Sequence, residues 1–196
     1  MASRLATADD LDGVTETITL AFMQDPVWSW AFPQEHLREQ QYLAWWRLFA
    51  AAAATNGSLW IAEEASAAAI WVSPGASEML PDDEARVEPL LRQLLGSRQA
   101  ALVAELNGRF DEHHPSESFH YLSLLGTHPD QRGHGLGMGL LADRLTELDA
   151  LGEPSLLEST NPVNHERYAR LGYRRIDEWR APDGGPPVAV MWRDPS

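Results

Sequence analysis

The run Leu124-Leu125-Gly126-Thr127-His128-Pro129-Asp130-Gln131-Arg132-Gly133-His134-Gly135-Leu136-Gly137-Met138 holds the densest chemistry in the sequence. An apolar stretch enters a loop of alternating glycines and leaves it as a helix. Backbone of that shape aims successive N–H groups at one point beside a helix N-terminus, which makes a cradle for a pyrophosphate. Hydrogen bonds to a charged group contribute roughly 1.5–3 kcal/mol each, against about 0.3–1 kcal/mol from the helix terminus. The amides dominate, and glycine matters because no Cβ stands in the way. A dinucleotide fingerprint G-x-G-x-x-G fails in register, since counting from Gly133 ends on Met138 and counting from Gly135 ends on Leu140. A Walker loop needs a lysine, and all 15 basic residues are arginine. What does stand is R-x-x-G-x-G, at Arg132, Gly135 and Gly137.

Three further groups could do chemistry. Leu156-Leu157-Glu158-Ser159 leads through Asn161-Pro162 to Asn164 and Tyr168, with Asn161 placed to cap a helix, Pro162 at its first position, and Asn164 one turn before Tyr168. Trp28, Trp30, Phe32, Trp45 and Trp46 form the densest aromatic region, able to build a core or to wall a pocket for a flat or cationic ligand, with Asp25 and Glu35 beside them. His113, His114 and His120 are metal-ligand types, but adjacent histidines point different ways and no acid is placed to complete a shell, so no metal is expected.

These groups need a scaffold. Apolar spacing predicts a helix from Leu11 up to the break at Asp25-Pro26, an irregular stretch over 27–33 between two prolines, a helix over 35–54, and a hairpin from 59–62 and 67–72. Residues 76–117 read as an inserted segment of one or two surface helices, interrupted near Gly96. Then follow a strand over 119–127, a helix over 135–151, a strand over 155–159, a helix over 162–171, and strands over 173–179 and 188–192. The order is that of one mixed α/β domain over 1–196, with a mixed central sheet flanked by helices.

Composition narrows the function. With 29 acidic against 15 basic residues, the net charge of −14 repels nucleic-acid backbones and anionic membranes. The absence of lysine removes Schiff-base catalysis, and the absence of cysteine removes disulfides, thiolate metal sites and a covalent thioacyl enzyme. No apolar stretch has the length of a membrane span or the pattern of a secretory leader, so a cytoplasmic location is expected.

The loop at Arg132, Gly135 and Gly137, followed by the run from Glu158 through Asn161, Asn164 and Tyr168 to Leu171-Gly172-Tyr173, resembles the two signatures of the GNAT superfamily of N-acetyltransferases, spanning 119–151 and 155–173. Within the superfamily, Arg4-Leu5-Ala6-Thr7-Ala8-Asp9-Asp10 and the hairpin ending at Ser73-Pro74 are similar to the puromycin N-acetyltransferase group. The resemblance implies acetyl-CoA as cosubstrate. The backbone of Leu125, Gly126 and Thr127 would pair with its pantetheine arm, and Arg132, Gly133, His134, Gly135, Leu136, Gly137 and Met138 would hold its pyrophosphate, with Asn161 and Asn164 as further contacts. It places Tyr168 as the acid that protonates the leaving thiolate; a base must also take the amine's proton, and Glu158 on its short strand is the first candidate by position, with His120 and His128 behind it. Trp28, Trp30, Phe32 and Trp46 would face a small-molecule primary amine. The enzyme would act as a monomer or homodimer, without nucleic-acid or membrane partners. A non-catalytic acyl-CoA-binding or sensing module on the same fold is the alternative.

Overall fold

In β7 (Pro187–Arg193), Val188, Val190 and Trp192 belong to one buried cluster while Ala189 and Met191 belong to another. This two-residue alternation means that both faces of the sheet are covered. The computed structural model describes residues 3–62 and 64–196; the first two residues and Glu63 of the expected hairpin turn lie outside them. Seven strands form one sheet in the order β1-β2-β3-β4-β5-β7-β6, where β1 is Ser3–Leu5, β2 Leu59–Ala62, β3 Ala67–Val72, β4 His120–Thr127, β5 Ser155–Ser159 and β6 Arg174–Arg180. Among the described residues only the β4–β5 pair is parallel. Helices α1 (Leu11–Phe22), α2 (Pro26–Ala31), α3 (Glu35–Thr55) and α4 (Pro81–Glu112) share one core with one face; α5 (Leu136–Leu151) covers the other, and Tyr168 from α6 (His165–Ala169) packs there too.

Two stretches depart from the sequence expectation. Residues 27–33 are not irregular, because Pro26 opens α2 at a position that needs no N–H, and the Asp25 carboxylate accepts from the amides of Val27 at 3.0 Å and Trp28 at 3.1 Å. The segment after the hairpin is not a surface layer either. Leu91, Val103 and Leu106 of α4 are fully buried, and the helix bends at Gly96, whose φ of 74° breaks the helical path.

The decisive irregularity lies in β4. Its pairing with β3 runs Ile70↔Leu124 and then Trp71↔Leu122, which leaves Ser123 as an extra residue in a β-bulge. Leu122 therefore belongs to the α5-side core and Leu124, two residues on, to the opposite one. Pairing with β5 stops at the same place, at Leu122↔Leu157. From Ser123 onward β4 continues to Thr127 with its β5-facing edge unpaired, and the two parallel strands open into a V.

Candidate active site

Two hollows meet in this V. The first, of about 480 Å³, lies under the glycine loop and is lined by Leu125, Thr127, Arg132, Gly133, Gly135, Leu136, Gly137 and Met138, with Asn161, Asn164, Arg167 and Tyr168 on the far side. Gly133 and Gly135 hold φ of 88° and 76°, in the left-handed region that a side chain disfavours, and neither has a neighbour within 4 Å of where a Cβ would sit. Gly135 is also the N-cap of α5, so the first amides of that helix have no side-chain cap, and no acid occupies its first turn. Gly137 serves a different purpose: a Cβ there would lie 2.5 Å from Thr127 Oγ1, so the glycine lets α5 close on β4. Arg132 is anchored by donating to the Ala21 carbonyl at the end of α1, at 3.2 Å.

The second hollow, of about 470 Å³, runs between the helical layer and the sheet. Phe22, Trp28, Trp46, Phe49 and Phe110 supply aromatic wall, and Asp25, Glu78, Glu84, Asp111 and Glu158 supply carboxyl groups. Ala21, Leu125, Asn161, Asn164 and Tyr168 line both hollows, so the two are continuous around Tyr168.

Glu158 sits at the centre of a network. Its side chain is only 1% exposed. Oε2 faces His114 Nε2 at 3.3 Å and accepts from the Tyr121 hydroxyl at 3.1 Å, while Oε1 accepts from Trp179 Nε1 at 3.4 Å. Burial pushes its carboxyl above the usual range, against the pull of His114, Tyr121 and Trp179. Burial opposes the charge on His114, but Glu158, Asp111 and Glu78 outweigh it and raise its pKa. Glu78 is pushed up to about 7 by burial and by the charges of Asp111 and Glu158, with a hydrogen bond from Ser123, the bulge residue, working the other way. Tyr168, half-buried, is pushed up to about 12 by burial and by the charge of Asp25. It is therefore a protonated phenol at neutral pH, able to give a proton to a strongly basic atom.

The residues singled out in the sequence divide. Trp28 and Trp46 line the inner cavity; Trp30 and Phe32 do not. Phe32 is fully buried against Tyr42, at 5.1 Å between ring centroids, and Trp30 packs where a Cβ on Gly185 would meet it at 3.0 Å. Gly126 and His134 are absent from the glycine-loop lining. Gly126 admits α1, since its Cβ would be 3.1 Å from that of Ala21, and His134 turns its Nδ1 toward the Gln131 carbonyl at 3.2 Å. The Asn161 side chain caps the turn after β5, accepting from Val163 N at 3.2 Å, while Asn164 accepts from Arg167 at 2.9 Å. Asp25 caps α2 and takes a 2.6 Å bond from Thr160; Glu35 is exposed on α3. His120 pairs with Glu153 and His128 lies beside Asp130, neither of them lining a hollow. His113, His114 and His120 each face a different acid, and among the described residues no group of three or more ligand-type side chains could hold a metal. Glu78, Tyr121 and Asp111 carry no sequence signal, and by sequence His114 is a metal-ligand type alone.

No protein-family sequence model matches the chain. Solved structures do. A histone acetyltransferase HPA2-related acetyltransferase from Corynebacterium glutamicum superposes with a TM-score of 0.70 at 21% identity, over 100% of this chain and 96% of that one. The fold is that of the GNAT acetyltransferases. The polyamine N-acetyltransferase of Drosophila melanogaster gives a TM-score of 0.63 at 15% identity over 98% and 99% of the two chains. Arylalkylamine N-acetyltransferase 2 of Aedes aegypti gives 0.61 at 12% over 100% and 99%. In this chain's version of the GNAT fold, the bulge at Ser123 opens the V, the glycine loop closes one arm of it, and α4, with His114 just beyond its end, walls the other. Among the described residues, no helix is long and apolar enough to cross a membrane.

Proposed function

We propose that this chain is a cytoplasmic, acetyl-CoA-dependent N-acetyltransferase acting on a primary amine of a small molecule, as a monomer or homodimer. The observation that carries the reading is the junction at Tyr168 of a glycine-loop cleft and a second, carboxylate-bearing cavity. One arm is built for an anion beside uncapped helix amides, the other for an amine. The residues present fit acetyl-CoA: the amides at the start of α5 with Arg132 and Arg167 for its pyrophosphate, the free edge of β4 at Leu125 and Thr127 for its pantetheine arm, and Asn161 and Asn164 along the join.

Acetyl-CoA supplies a thioester that an amine can attack directly, with no need for a nucleophile on the chain. The C–N bond formed replaces the C–S bond broken, which leaves two protons to place. Glu158 takes the one the acceptor ammonium loses; its raised pKa brings it toward the operating range of a general base. Tyr168 gives a proton to the departing sulfur and its phenolate recovers one from the nitrogen as the amide forms, so the second proton ends on the thiol. Holding the two reactants on either side of one join supplies the proximity that a ternary-complex reaction needs. The named activities of the fold's neighbours, on polyamines and arylalkylamines, support an amine acceptor.

The test is thiol release from acetyl-CoA with a panel of polyamines, arylalkylamines, amino acids, peptide N-termini and puromycin, the last because the opening and hairpin resemble that group. The chain holds no cysteine, so every thiol detected is free CoA. Acceptor-dependent release is expected, with Tyr168→Phe lowering kcat at least about 100-fold and shifting the KM for acetyl-CoA less than about twofold. Unchanged kcat removes Tyr168 as the acid. Acetyl-CoA binding without release on any acceptor favours a sensing module.

A further inference from the structure

The two hollows that meet at Tyr168 are lined by opposite types of ionisable group. The glycine-loop cleft is lined by Arg132 and Arg167 and by no acid, whereas the inner cavity is lined by five acids and by no arginine. One of those acids, Asp25, is spent on two amides and Thr160. Glu158 is likewise engaged, by Tyr121, Trp179 and His114, the sole residue in that lining able to become a cation, which leaves Glu78, Glu84 and Asp111. Much of the remaining wall is aromatic, with Trp28 stacked on Phe110 at 6.3 Å and set edge-on to Trp46 at 4.6 Å. An ammonium on an apolar body suits both kinds of surface. A carboxylate on the same ligand does not, because it would stand beside the carboxyl groups of Glu78, Glu84 and Asp111 in a site with no guanidinium to receive it.

We infer that the acceptor is an aryl- or alkylamine bearing no anionic group, and that the cavity rejects the α-amino acid with the same side chain. This inference rests on the transferase reading above. It also places the chain in a reaction sequence. Such amines are released when an α-amino acid loses its carboxyl group as CO2 and its α-carbon takes up a proton, so a decarboxylation of that class supplies the acceptor.

The experiment uses matched probes: phenethylamine, phenylalanine and phenylalanine methyl ester, and agmatine beside arginine. With acetyl-CoA saturating, kcat/KM for each amine should exceed that for its amino acid by roughly 100-fold. The methyl ester, which keeps the bulk and loses the charge, should recover most of that gap. Glu78→Gln combined with Asp111→Asn should narrow the gap at least tenfold while leaving the KM for acetyl-CoA unchanged. Equal use of phenethylamine and phenylalanine overturns the inference and leaves the transferase standing; an ester as poor as the free acid overturns it in favour of exclusion by shape. If no probe is acetylated, the transferase reading fails for these acceptors and binding decides the inference by itself. Trp28 and Trp46 line the cavity, so their fluorescence should respond to phenethylamine at concentrations at least tenfold below those needed for phenylalanine, and an equal response overturns it.

Discussion

Glu158 is held between opposing influences, and the balance can be moved. Burial raises its pKa; His114 lowers it through a hydrogen bond and a positive charge. Removing His114 removes part of the lowering and nothing of the raising. In His114→Gln the pKa of Glu158 therefore climbs further, and the acidic limb of the kcat–pH profile moves to higher pH, by an expected half unit or more on the order of one lost charged hydrogen bond. A limb that stays put or moves to lower pH would detach His114 from the base. Legibility at this scale was uneven for a physical reason. Glu158 and Tyr168 sit inside one short stretch whose spacing is visible in the sequence. The partners of Glu158 come from residues 44 and 37 positions away, brought together only by the fold. Nothing local distinguishes His114 from His113, yet one faces the cavity and the other stacks on Trp179 at 5.3 Å.

Among the elements, α5 depends on a contact that a single methyl group would disturb. Thr127 is β-branched and stiff at χ1, so the Cβ of Gly137→Ala, 2.5 Å from Thr127 Oγ1, is accommodated by lifting the start of α5 off β4. We expect the KM for acetyl-CoA to rise about tenfold on the scale of one or two misplaced charged hydrogen bonds, with Thr127→Ala in the same chain restoring much of it. Gly108→Ala is the control: it lies exposed in α4 with open space around it and should stabilise by roughly 0.5–1 kcal/mol. If Gly137→Ala binds acetyl-CoA normally, the close approach is not needed by the cleft. The strands and helices of regular periodicity could be read from the sequence, including both arms of the hairpin at Leu59–Ala62 and Ala67–Val72. Missed elements were those in which one residue changes the rule. Asp25-Pro26 reads as a break and acts as a cap plus a first helical position; Ser123 interrupts an alternation that otherwise looks unbroken.

At the scale of the whole molecule, the C-terminal strand is tied to the α5 layer by one ion pair. Arg193 donates to both oxygens of Asp149 at 2.7 Å and to the Leu171 carbonyl at 2.8 Å, and Asp149 also accepts from Ser196 N at 2.8 Å. Arg193 is 7% exposed, so losing its partner strands a buried cation. Asp149→Asn should cost about 1.5–3 kcal/mol at pH 7, the scale of a lost charge-assisted hydrogen bond, a fall in Tm of about 3–10 °C for a domain of this size. Arg193 and then Ser196 hold the Asp149 carboxyl well below the usual carboxylate range. The stabilisation is thus complete above the unfolded-state value of roughly 3.9 and fades as pH falls toward the depressed one. Thermal unfolding at pH 7 and pH 3 should show the two proteins converging in acid; equal Tm values at pH 7 would make the pair ornamental. The fold class could be read from the order of elements, because each arm of the sheet carries its own alternation. The opening between β4 and β5 could not, and it has an evolutionary consequence. A ligand laid along that bare edge meets main chain, which every residue possesses. Selection on residues 124–127 then acts through fit to the two cores, not through the ligand, so descent can preserve the groove as a shape while its spelling drifts.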